Sequence, residues 1–95
     1  MLFMSKQEQL IEIFKATGKA HHQAYLSVDG ADDNWMTWYA RYLMLETEFP
    51  NLVPGFDEPK LSQTLVDLDV EARGADQHWA EVYADSLLNH PPIDD

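Results

Sequence analysis

The sequence predicts an all-α fold, a four-helix bundle or an orthogonal helical array built from two αα-hairpins. Three observations predict it. Apolar residues recur at steps of three and four along four segments, the period of a helix face. Glycines, prolines and capping residues punctuate those segments. Finally, the stretch 30–44 is echoed 44 residues on: Gly30-Ala31-Asp32, Trp35, Tyr39-Ala40 and Leu43 fall on Gly74-Ala75-Asp76, Trp79, Tyr83-Ala84 and Leu87, seven identities in fifteen positions. A single hairpin cannot bury its own apolar seam, whereas two facing each other can.

The first helix is expected over roughly 5–28. Ser5 and Glu8 form a capping box, in which each side chain accepts from the other's backbone amide. A seam of Leu10, Phe14, Thr17, His21, Ala24 and Val28 follows. It runs through Gly18, which costs about 1 kcal/mol against alanine in a helix interior. The period survives the glycine, so one long helix is preferred, ended by Asp29-Gly30 with Gly30 as a left-handed cap.

The second helix is expected to start at Asp32 or Asp33, either of which can cap it. It carries Trp35, Trp38, Tyr39, Tyr42, Leu43 and Glu46, and it should stop before Pro50. The loop 48–59 holds three prolines and a glycine, yet Phe49, Leu52, Val53 and Phe56 give it apolar groups to pack. Pro59 suits the first turn of a third helix, whose seam is Leu61, Leu65, Leu68 and Ala72 and which ends at Gly74. Asp76 is expected to cap the fourth helix, with Trp79, Val82, Tyr83, Ser86 and Leu87 on its face. Pro91-Pro92 bars continuation. Residues 1–95 thus make one domain, with a first hairpin of about 5–47, the loop 48–59, a second hairpin of about 60–89 and a tail 90–95.

Composition excludes several function classes. The chain has no cysteine, so disulfides, thiol catalysis and thiolate metal sites are absent. The opening Met1-Leu2-Phe3-Met4-Ser5-Lys6 is too short and too quickly polar for a signal peptide. No apolar run reaches the roughly 18 residues that span a bilayer. The expected location is therefore the cytoplasm. Net charge is −11, and it is uneven: five acids against four bases in 1–45, twelve against two in 46–95. Direct nucleic-acid binding and anionic membranes are disfavoured, because both need cationic neutralisation. A basic protein partner would be attracted, and Asp67, Asp69, Glu71, Glu81 and Asp85 offer it an acidic face. So rich an aromatic content also raises the prospect of a homodimer covering an apolar patch.

The differences between the two copies point to a site. His21 stands where the second copy has Leu65, His22 where it has Val66, and Tyr25 where it has Asp69. Trp38 replaces Val82, and Tyr42 replaces Ser86. Plain apolar residues in one copy mark the core, so His21 is expected to point inward. A buried imidazole needs a partner for each ring nitrogen. His21, His22, Tyr25, Trp38 and Tyr42 therefore form a candidate ligand-binding pocket in the first hairpin, since aromatic walls with a few polar groups are what small-molecule sites use.

No metal or cofactor is expected. Adjacent histidines on a helix point about 100° apart, so His21 and His22 chelate poorly. Asp29, Asp32, Asp33 and Asn34 cluster in one turn, but they miss the EF-hand spacing, and capping explains Asp32 or Asp33 more cheaply. No phosphate loop, nucleophile elbow or dinucleotide fingerprint is present. The run His21-His22-Gln23-Ala24-Tyr25, then Asp29-Gly30-Ala31-Asp32, then Trp35 and Trp38-Tyr39-Ala40, resembles over roughly 16–44 a small bacterial protein family without an assigned function. The resemblance implies that these segments are its signature and supplies no catalytic role.

Three functions remain from the sequence. The first is a non-catalytic binding module that takes a small ligand or a partner's side chain. The second is an acidic interaction or regulatory domain that docks a basic partner. The third, placed last because no second catalytic group is evident, is a small enzyme with His21 or His22 as general acid–base.

Overall fold

The structure, a computed structural model, describes residues 4–24 and 34–89. They form an all-α fold of five helices: α1 (Lys6–Ala24), α2 (Trp35–Glu46), α3 (Phe49–Leu52), α4 (Glu58–Arg73) and α5 (Trp79–Asn89). The four long helices make a square in which α1 neighbours α2 and α5, and α4 neighbours α2 and α5. The most intimate pairs join the two hairpins, α2 with α4 and α1 with α5. Interchanging α1 with α4 and α2 with α5 leaves these neighbours unchanged. Among the described residues, no helix is long and apolar enough to cross a membrane.

Local chemistry explains each start and stop. Ser5 and Glu8 form the capping box, with the Glu8 amide donating to Ser5 Oγ at 3.1 Å and the Ser5 amide donating to Glu8 Oε1 at 2.9 Å. Helix α1 then runs unbroken through Gly18 to Ala24; Gly30 and the rest of 25–33 lie outside the described residues. At α4, Asp57 accepts from the Lys60 amide at 2.9 Å, and Pro59 occupies the first turn. Gly74 closes that helix and donates to the carbonyls of Ala72 and Glu71.

Three expectations change. Asp32 and Asp33 lie outside the described residues, and α2 begins at Trp35 with Asn34 in the capping position. Helix α5 is capped by His78, not Asp76: the His78 Nδ1 accepts from the Ala80 amide at 3.1 Å, and the His78 carbonyl receives the amides of Glu81 and Val82. The two copies therefore start their second helices at equivalent residues, with each tryptophan as the first helical residue rather than a turn past the cap. Lastly, the loop after α2 contains a one-turn helix. Helix α2 stops before Pro50, at Glu46, as expected, and Pro50 itself sits in the first turn of α3, where its missing N–H costs nothing. Thr47 steers the chain into it by donating to the Leu43 carbonyl at 2.7 Å while accepting from the Phe49 amide at 3.0 Å.

One core cluster draws on all five helices. Leu10 and Phe14 come from α1, Ala40 and Leu43 from α2, Phe49 from α3, Leu61, Leu65 and Leu68 from α4, and Ala80, Tyr83, Ala84 and Leu87 from α5. Thr17 is buried as well, its hydroxyl satisfied by the Ile13 carbonyl at 2.7 Å. The α1 seam then fades, with His21 half-buried and Ala24 exposed. Phe14 is the hub. Its ring meets Phe49 at 6.1 Å, Tyr83 at 5.3 Å and Trp79 at 6.4 Å, all strongly inclined. Outside the core, the Gln7 amide of α1 donates to the Asp85 carboxylate of α5.

The capping geometry carries a prediction. Truncating an N-cap acceptor typically costs about 0.5–2 kcal/mol. Urea denaturation of His78→Ala should show a loss in the lower half of that range, and Asp76→Ala should leave the midpoint unmoved. The reverse ranking would mean that Asp76 is the cap.

Candidate functional site

The repeat's tryptophans and tyrosines line a cleft. As the first residue of α2, Trp35 shares a helix face with Tyr39, one turn on. Trp79 and Tyr83 do the same on α5. Both pairs pack edge to face, Trp35–Tyr39 at 5.3 Å and 83° and Trp79–Tyr83 at 5.0 Å and 71°. Tyr39 reaches across the square to Trp79 at 6.4 Å and 63°, joining the four rings in one chain. Around them opens a cleft of about 460 Å³, completed by His21 from α1 and by Asp69, Ala72 and Arg73 from α4.

Gly18 permits this arrangement. A β-carbon placed there would lie 3.1 Å from Trp79 Cζ2 and 3.3 Å from the Tyr39 hydroxyl. The glycine that costs helix propensity is therefore the seat on which Trp79 rests against α1. At the equivalent place in the second copy, Ser62 carries a side chain whose hydroxyl donates to the Met36 carbonyl at 3.4 Å.

Electrostatics at the cleft centre on Asp69. Its carboxylate pairs with Arg73 at 2.7 Å, one turn along α4, with the acid 29% exposed and the guanidinium 77% exposed. Tyr39 is pushed above the ordinary tyrosine value by burial and secondarily by the Asp69 charge. Tyr83, almost fully buried, is pushed well above it by burial first, then by Asp69 and Tyr39, with Arg73 opposing.

Of the sequence-derived pocket residues, His21, Trp38 and Tyr42 are contiguous, but His21 alone of the three lines the cleft. His21 is half-buried, packed against Trp38 at 5.2 Å and Tyr39 at 5.3 Å, and it lines the cleft. His22 is exposed, and Tyr25 lies outside the described residues. Trp38 and Tyr42 stack nearly parallel, at 5.2 Å and 11°, and line a separate, smaller depression of about 230 Å³ with Arg41, Leu45 and Glu46. Asp69, assigned to the acidic face, also lines the cleft. The residues missed were Trp35, Tyr39, Trp79, Tyr83, Asp69 and Arg73. The repeat itself was the signal that could have found them. Among the described residues, no group of three or more acidic or imidazole side chains is placed to hold a metal ion.

Comparison with known proteins adds nothing to this geometry: no family model, curated protein or solved structure matches the chain.

Two predictions follow from the cleft's packing and charge. Gly18→Ala gains helix propensity but must displace the Trp79 indole by a few tenths of an ångström. It should change the near-ultraviolet circular dichroism while barely moving the melting temperature, whereas Gly18→Leu should cost about 1–3 kcal/mol by overpacking. An unaltered aromatic spectrum in Gly18→Ala would contradict the tight seat. As for pH, the fold favours neutral Tyr39 and Tyr83, so the unfolded chain releases those protons first. Their contribution to stability is intact below the ordinary tyrosine value near 10 and falls as pH rises above it. Denaturation midpoints on either side of that value should separate less in Tyr39→Phe/Tyr83→Phe than in the parent. Equal separations would rule these two residues out as the cause.

Proposed function

We propose that the chain is a non-catalytic binding module whose ligand, a small organic molecule or a partner's side chain, sits in the cleft between the hairpins. One observation carries the reading: four half-buried or buried rings from both copies of the repeat converge on an open space of about 460 Å³. That volume lies in the range of ordinary ligand pockets, and an apolar wall with a few convergent polar groups is their usual composition. The polar groups here are His21, the Tyr39 and Tyr83 hydroxyls, and the Asp69–Arg73 pair. The site thus belongs to both hairpins rather than to the first alone. The stacked Trp38–Tyr42 shelf, with Leu45 66% exposed beside it, is a weaker candidate, because its depression offers only about 230 Å³.

The test is a fragment screen by NMR, read on the indole N–H resonances. Binding at the cleft should shift Trp35 and Trp79 together and leave Trp38 less affected. Replacing Trp35 with leucine should abolish the shifts while the fold persists. Hits that scatter over the surface, or that move Trp38 alone, would refute the module as described.

A further inference from the structure

We infer that the cleft is built for an organic cation, a methylated ammonium group held among Trp35, Tyr39 and Trp79 beside the Asp69 carboxylate, with the buried Tyr83 behind them. The inference rests on the binding reading above and names its ligand class.

Ring orientation is the first ground. Aromatic rings attract cations through the negative potential of their faces, and tryptophan and tyrosine are the strongest providers among neutral side chains. A cage needs such walls in more than one plane. Successive rings in this cleft are turned by 83°, 63° and 71°, so the aromatic lining is not a single plane. The Trp38–Tyr42 pair, turned by only 11°, offers a single plane.

Charge is the second ground. Asp69 is less exposed than its partner Arg73, whose guanidinium reaches out to solvent. The carboxylate therefore belongs to the cleft wall more than the guanidinium does. At the buried Tyr83 hydroxyl the influence of Asp69 exceeds that of Arg73, in keeping with this placement. The half of the chain that supplies α4 and α5 carries twelve acids against two bases, so the surroundings attract cations and repel anions. An i,i+4 pair with an exposed partner is cheap to open. Arg73 then acts as an internal cation that competes with the ligand for Asp69.

The experiment is a titration of the full chain with choline and with its neutral isostere, in which a quaternary carbon replaces the nitrogen, followed on the Trp35 and Trp79 indole resonances. The two probes share shape, so their difference reports charge. Choline should bind about 3- to 30-fold tighter than the isostere, the span that cation–π contacts cover. Asp69→Asn should weaken choline and leave the isostere unchanged. Arg73→Gln, at an exposed position that does not threaten folding, should tighten choline. Equal binding of the two probes, or weaker choline binding in Arg73→Gln, overturns the inference and leaves an apolar pocket. Silence from both probes overturns it too. The fragment screen then decides separately whether the cleft binds anything, and hits there would preserve the module while rejecting its cationic ligand.

Discussion

The burial of Phe14 is the constraint on which the rest of the molecule depends. Its ring sits where α1, α3 and α5 meet, edge to face with Phe49 and Tyr83 and inclined to Trp79. Contacts of this kind add about 0.5–1.5 kcal/mol each beyond the area they bury. In a chain of 95 residues, with a modest core, a few such contacts are a large part of what holds the fold. Phe14 also fixes the two α5 rings that continue outward into the cleft. Core and site are one aromatic assembly, dry at Phe14 and open at Trp35.

Much of the scaffold was legible in the sequence, because its signals are local. Ser5 with Glu8 announces a helix start through hydrogen bonds three residues long, and Pro59 announces another through its fixed backbone angle. The leucines of α4 announce a buried stripe through their spacing alone. What was missed lies where one residue type has two uses. Pro50 stands beyond the end of α2, as expected, but it also begins the one-turn α3, into which Thr47 directs the chain. Asp76 is the better intrinsic cap than His78, yet the histidine stands at the position where the chain enters the helix.

The site was harder to read, for a reason of symmetry. Subtracting one copy of the repeat from the other assumes that shared residues are scaffold. That holds for Ala40 and Ala84, which are buried. Tyr83 is core too, and Trp35, Tyr39 and Trp79 pack against the core, yet all four also line the cleft, because it lies between the copies, where equivalent side chains converge. A site on such an axis is built from the shared residues themselves. The copies then differ in how they use them. Gly18 admits the Trp79 indole against α1, while Ser62 fills the corresponding place on α4 and directs its hydroxyl to α2. Of the differences between copies, His21 alone among the described pocket residues reaches the cleft wall, and Asp69 does so from the second copy.

The position of His78 immediately before Trp79 has a consequence for how this sequence can vary in length. Each residue advances a helix by about 100°, so one inserted after Trp79 would turn Tyr83 away from Trp79 and uncouple both from Phe14. One inserted between Gly74 and His78 would only lengthen a surface turn. Insertions and deletions should therefore be tolerated in the turn and eliminated from the stretch Trp79 to Leu87, so that the distance from indole to phenol is kept even where the turn before it drifts.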